Sequence, residues 1–137
     1  MAVYIHKRLD KIFSKAGITD ADLCKAATEV KRGEFEADLG GGVIKKRLRL
    51  AAGKSKGARS VVFFKQGDRL FFYDGWPKNT TKKGTKEIED DRLEDYKILA
   101  KGYLKATQQQ IEQLKASGTF REVNCNDEKN SGRTRNN

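Results

Sequence analysis

The segment Val43-Ile44-Lys45-Lys46-Arg47-Leu48-Arg49-Leu50 is written with the period of an extended strand. Alternation puts Lys45, Arg47 and Arg49 on one face, and Ile44, Leu48 and Leu50 on the other. Three cations on one sheet face repel each other unless an anion lies over them. A sheet that keeps them is built to hold a polyanion, and nucleic acid is the commonest in a cell. The bias continues beyond the strand: from Val43 to Gln66 there are eight basic side chains and no acid.

The rest of the composition agrees. A net charge of +10 predicts attraction to phosphates through counterion release. At 137 residues, the chain has room for one domain with one modest core. No apolar run approaches the roughly 18 residues needed to span a bilayer. The opening Met-Ala-Val-Tyr-Ile-His-Lys-Arg lacks the apolar stretch of a secretory signal, so a cytoplasmic address is expected. Cys24 and Cys125 are far apart, one on an apolar helix face and one in polar sequence, and no disulfide is expected between them. Two cysteines and one histidine make no zinc pattern, and no metal or cofactor is expected. The lone His6 excludes a two-histidine ribonuclease mechanism within one chain.

Two amphipathic helices open the domain. Leu9, Ile12, Phe13 and Ala16 form one stripe, stopped at Gly17; Leu23, Ala26, Ala27 and Val30 form the next, capped by Thr19 and stopped at Gly33. Phe35 to Leu39 reads as an edge strand, and Gly40-Gly41-Gly42 as its turn into the basic strand. That triple glycine joins strand to strand and is not followed by Lys-Ser or Lys-Thr, so it is no phosphate-binding loop. Residues 51–58 form a glycine- and lysine-rich loop. Arg59–Lys65 and Arg69–Trp76 are two strands apolar on both faces, antiparallel across the turn at Gly67, and Pro77 ends the ladder. Helical spacing returns from Ile88 to Lys105, and Thr107 opens a shorter helix with a capping box. Phe120 and Val123 fit a last short strand. Residues 1–123 are expected to form a single domain, and residues 124–137 a disordered polar tail.

In order and spacing, Asp38-Leu39-Gly40-Gly41-Gly42-Val43-Ile44-Lys45-Lys46-Arg47, Lys54-Ser55-Lys56-Gly57-Ala58-Arg59, Gln66-Gly67-Asp68-Arg69 and Gly75-Trp76-Pro77-Lys78-Asn79 resemble one family. The chain resembles the RelE/HigB superfamily of type II toxin–antitoxin toxins over about residues 1–123. The resemblance implies an α+β fold: an N-terminal helical hairpin packed on a small twisted antiparallel sheet, followed by C-terminal helices. It implies an endoribonuclease that cleaves mRNA in the ribosomal A site, and a cognate antitoxin with a helix-turn-helix DNA-binding domain. It places the family's cations here at Lys45, Arg47 and Arg49, at Arg59, and at Lys78.

The chemistry expected at such a site is attack of a ribose 2′-OH on the adjacent phosphorus, leaving a 2′,3′-cyclic phosphate and a free 5′-OH. Arg47, Arg49 and Arg59 suit clamping, since guanidinium binds phosphate oxygens bidentately and stays charged. Lys45, crowded by Arg47, is assigned proton transfer, and Lys78 the leaving oxygen or the phosphate. Arg49, Lys54, Lys56, Trp76 and Asn79 are assigned to RNA binding, Trp76 by stacking on an unpaired base. Structural alternatives stand beside these. Arg49 could be a solvated sheet cation, Trp76 could be core, and Asn79 could cap the turn after Pro77. Lys46, on the opposite face, is expected to be solvated or antitoxin-facing. His6 is expected at the surface or at helix entry, and Tyr96 and Tyr103 are expected to pack inward. Two other functions compete: a non-catalytic RNA- or ribosome-binding module, and a gyrase-directed toxin of the ParE branch.

Overall fold

The alternation in the basic segment sets the sheet's two faces, and everything else packs against them. The computed structural model describes residues 1–49, 57–77 and 90–125. Along the chain run β1 (Ala2–His6), α1 (Lys7–Lys15), α2 (Asp20–Lys31), β2 (Ala37–Asp38), β3 (Val43–Arg49), β4 (Gly57–Phe63), β5 (Arg69–Pro77), α3 (Asp90–Leu104), α4 (Gln108–Ala116) and β6 (Phe120–Glu122). The strands form one sheet in the order β2-β3-β4-β5-β1-β6.

The α+β class expected from sequence holds, with two differences. A strand precedes the helical pair, and it runs parallel to β5, so the sheet is mixed rather than purely antiparallel. β1 sits inside the sheet, with β5 on one side and antiparallel β6 on the other. The remaining neighbours, β2–β3, β3–β4 and β4–β5, are antiparallel as expected.

Each face of the sheet has its own core. Ile44, Leu48, Val62, Leu70 and Phe72 pack with Leu9 and Phe13 of α1 and Leu23, Ala27 and Val30 of α2. Val43, Val61, Phe63 and Phe71 pack with Tyr96 and Ala100 of α3 and Ile111 of α4. The two faces therefore serve different helix pairs, which is why β4 and β5 are apolar on both faces; a register shift at Val61/Val62 puts Asp74 and Trp76 on the same side as Phe71. Thr19 and Thr107 each close a capping box, satisfying the first N–H groups of α2 and α4.

Two glycine positions have steric causes. Gly42 has φ +86°, and a Cβ there would lie 2.7 Å from Leu104 Cδ1, so the triple-glycine turn is also the surface on which α3 docks. At Gly75, a Cβ would meet Arg59 O and approach Phe13 Cζ at 3.0 Å, so the missing side chain lets α1 press onto β5.

Two expectations are corrected. Cys24 and Cys125 form a disulfide across 101 residues of sequence, because β6 returns the chain to α2, and Cys125 packs partly buried against the core. The segment before it is held as well: Asn124 N–H donates to Asp20 Oδ2 at 2.8 Å. Lys46 is on the opposite face from Lys45, as expected, but it is not solvated. Its side chain is 7% exposed, and its Nζ lies 2.8 Å from Glu29 Oε1 and donates to Glu34 O at 2.9 Å. Residues 126–137, most of the segment expected to be a polar tail, lie outside the described residues.

Candidate functional site

The end of β3, the start of β4 and the end of β5 lie side by side at one end of the sheet. β1 runs parallel to β5, so it finishes at that same end, where α1 begins. At this end Arg47 stands directly opposite Arg59, and Arg59 directly opposite Trp76. Residues paired across strands point the same way, so Arg47, Arg59 and Trp76 form one row. The row lies on the face that also carries Val43, Val61 and Phe63, hence on the α3–α4 side. Lys45 precedes it, opposite Val61, and Arg49 follows it, opposite Gly57.

Like charges directly opposite are unfavourable by a few tenths of a kcal/mol or more. Nothing local relieves this pair: among the described residues, no carboxylate oxygen lies within 4.0 Å of the side-chain nitrogens of Lys45, Arg47, Arg49 or Arg59. Glu36, beside Arg47, is used on the backbone instead. β2 is only two residues long, so it ends before reaching Arg47, and Glu36 Oε1 accepts the Arg47 N–H at 2.7 Å. Trp76 contributes a further unspent group. Its ring packs partly against the core, but its indole Nε1–H is buried with no acceptor among the described residues, a costly state for a donor.

The chain end of β5 carries a network that the sequence reading passed over. Asp74, two residues before Trp76 on the same face, is 12% exposed. Tyr96 donates its hydroxyl to Asp74 Oδ2 at 2.5 Å, and Arg92 Nη2 donates to that oxygen at 3.1 Å and to the Tyr96 oxygen at 3.0 Å. Asp74 Oδ1 accepts the Gly75 N–H at 2.8 Å and lies 3.7 Å from Arg8 Nη2. Tyr96 packs inward as expected. Burial, then the bond to Asp74, pushes its phenol well above the ordinary value, so it remains a donor. His6 is the N-cap of α1, as the helix-entry reading anticipated, and its Nδ1 accepts the Arg8 N–H at 3.1 Å. Burial, together with Arg8 and Lys7, holds its imidazole below the ordinary 6.5.

Of the residues singled out from sequence, Arg47, Arg49, Arg59 and Trp76 are thus brought onto one face at one end of the sheet, with Lys45 on the same face further in. Lys54, Lys56, Lys78 and Asn79 lie outside the described residues. Asp74, Arg92 and Arg8 were missed, as was the bond from Tyr96, expected only to pack inward, to Asp74. The one local signal was an acid placed inside an otherwise aromatic strand, Phe71-Phe72-Tyr73-Asp74.

A family model described as the RelE toxin of the RelE / RelB toxin-antitoxin system matches residues 1–123. Comparison with curated proteins and with solved structures returns no match.

Proposed function

The chain belongs to the RelE toxin family, and from that membership we propose that it is a ribosome-dependent endoribonuclease that cuts mRNA in the A site and so arrests translation. The observation that carries this reading is the Arg47–Arg59 pair: two guanidiniums opposed across adjacent strands without a neutralising carboxylate among the described residues. Such a pair costs the fold stability and is relieved when a phosphate lies between its members.

In this mechanism the ribose 2′-OH attacks the adjacent phosphorus. The 2′-O–P bond forms, the P–O5′ bond breaks, and a cyclic phosphate and a 5′-OH result. Arg47 and Arg59 hold the non-bridging oxygens, where negative charge grows only in the transition state, so their attraction lowers the barrier more than it tightens binding. Lys45 takes the 2′ proton, and Lys78 serves the departing O5′. Trp76 stacks an unpaired base beside the row, and Arg49, Lys54, Lys56 and Asn79 contact flanking phosphates or bases. No step requires a metal ion. The partner expected to silence the protein is a cognate antitoxin carrying a helix-turn-helix domain, and the site of action is cytoplasmic. No helix among the described residues is long and apolar enough to cross a membrane. Residues 1–123 act as one domain in this reading, with residues 124–137 as a tail.

The test is induced expression of the parent and of Arg59→Ala in a bacterial host, with mapping of new 5′-OH ends on mRNA. Growth arrest with new ends for the parent, and neither for the variant, is the expected result. Salt-sensitive RNA binding without new ends would instead make the protein a non-catalytic RNA-binding module. Intact mRNA accompanied by DNA damage would place it with the gyrase-directed toxins.

A further inference from the structure

We propose that the recess between the β4–β5 turn and the second half of α3 is a binding site for a nucleoside di- or triphosphate, separate from the Arg47–Arg59 row. Its geometry is independent of the nuclease assignment.

The recess measures about 630 Å³ and is walled by three stretches distant in sequence: Gly41 of the triple-glycine turn, the β4–β5 turn with the start of β5, and the end of α3. Its cations are Lys65, Arg69, Lys97, Lys101 and Lys105, set against one acid, Asp68. Among the described residues, no carboxylate oxygen lies within 4.0 Å of the side-chain nitrogens of any of these cations. Asp68 itself stays beyond that distance.

Ordinary helix electrostatics does not account for this gathering. Lys97, Lys101 and Lys105 recur at every fourth position, and the bond from Lys105 N–H to Lys101 O carries the helical spacing past Leu104. Like charges therefore stand one above another and repel. The negative end of the α3 dipole favours Lys101 and Lys105. It does not reach Lys97, about two turns back, and it has no bearing on Lys65 and Arg69, which come from the sheet. Two of the cations are also held in place. Arg69 donates from Nη1 to Ala106 O at 2.5 Å, which pins its guanidinium beside the end of α3 and leaves its other N–H groups unspent among the described residues. The stem of Lys97 lies across the glycine turn: a Cβ at Gly41 would sit 3.0 Å from its Cγ and 3.3 Å from its Cδ. The absent side chain thus sets the course of Lys97 along the wall, and a cation already placed costs less to order when a ligand arrives.

Charge and size together select the ligand. Such an excess of cations suits an anion with several charges, and ammonium and guanidinium groups bind phosphate oxygens through charge-assisted hydrogen bonds. A lone phosphate would leave most of the recess empty, whereas about 630 Å³ is ordinary for a site that takes a small organic molecule. Leu104 and the methylene stems of Lys97 and Lys101 supply apolar wall for a nucleoside. The recess is also remote from the candidate nuclease site. Arg69 and Trp76 stand near opposite ends of β5, about 20 Å apart, so a nucleotide seated at the Arg47–Arg59 row does not reach it.

The probes are ATP and GTP, titrated calorimetrically into the full chain at one fixed salt concentration, with inorganic triphosphate and adenosine in separate titrations. At least one nucleotide should bind saturably. Triphosphate should bind about fivefold more weakly or worse, for want of apolar contact, and adenosine should not bind. Lys101→Glu and, from the facing wall, Lys65→Glu should each weaken the nucleotide about tenfold or more. Lys31→Glu, an equal reversal of charge in the last turn of α2, should leave its affinity unchanged, as should Arg59→Ala. Failure of both nucleotides to bind overturns the proposal. So does an equal loss through Lys31→Glu, which would show a response to bulk charge, or a matching loss through Arg59→Ala, which would put the nucleotide at the other end of the sheet. Triphosphate or adenosine binding as tightly as the nucleotides overturns the assignment to a nucleotide. A short 2′-O-methyl RNA that depends on Lys101 while neither nucleotide does would make the recess an RNA contact, and overturns it too. Should Lys101→Glu fail to fold, Lys65→Glu decides alone.

Discussion

Lys46 and Glu29 meet at 2.8 Å between β3 and α2, although Lys46 stands between two residues whose cations face the opposite side of the sheet. The same basic run therefore does two jobs. Odd positions present charge to the candidate site, and Lys46 ties the sheet to the helix behind it.

Breaking that tie should cost stability without affecting activity. Lys46→Met leaves Glu29 with its partner gone. Because Glu29 keeps a quarter of its side chain in water, the loss is about 2 kcal/mol rather than the larger figure for a fully enclosed pair. Urea unfolding of Lys46→Met, Glu29→Gln and the double variant checks this. Additive losses would show that the pair is not coupled. Growth arrest by Lys46→Met should match the parent.

Arg47 and Arg59 should behave in the opposite sense. Replacing Arg47 by Thr removes repulsion from a paired strand position, so the thermal midpoint should rise by about 1–4 °C. RNA cleavage should fall by about 100-fold or more, because transition-state charge loses a clamp. A variant that is less stable than the parent, or equally active, would contradict the assignment of this pair to the substrate.

Acid should act through Arg121. Its guanidinium bridges Asp10 of α1 at 2.8 Å and Asp20 of α2 at 2.7 Å, joining both helices to β6. The Arg121 hydrogen bond, helped by the Asn124 N–H and opposed by partial burial, holds Asp20 below its ordinary 3.8. A carboxylate depressed in the folded state stabilises it above its unfolded value, and that contribution is lost as pH falls through the lower folded value. Stability measured at about pH 5 and about pH 3 should drop more for the parent than for Arg121→Ala. Equal drops would show that this network does not set the acid response.

Reduction tests the Cys24–Cys125 bond. Opening a loop of this length should lower unfolding free energy by about 2–4 kcal/mol. The urea midpoint with and without dithiothreitol reports the loss, and a Cys24→Ala/Cys125→Ala chain should be indifferent to reductant. A midpoint unmoved by reductant in the parent would mean that the bond adds nothing.

What the sequence disclosed was what is local. Alternation from Val43 to Leu50 gave the face of every cation in β3, and Thr19 and Thr107 announced α2 and α4 through side chains that bond three residues on. Depth was hidden wherever the covering group is distant. The face of Lys46 could be read, but not its burial, because Glu29 lies on another element. The cysteine pair spans 101 residues and carries no nearby sign. β1 escaped notice because five residues make too short a period, and its neighbours are β5 and β6, far along the chain. Asp74 looked like an ordinary strand position, since its partners Arg92 and Tyr96 arrive from α3, 18 and 22 residues later.

The place of β1 within the sheet has a consequence for synthesis. The first strand to leave the ribosome must wait for β5 to cover one of its edges and for β6, at residues 120–122, to cover the other. Until then its unpaired amides and carbonyls lie open along at least one side. A nascent chain stopped short of Phe120 therefore cannot finish its sheet, and this member of a toxin family completes its own architecture only when the ribosome making it has delivered nearly all of the described chain.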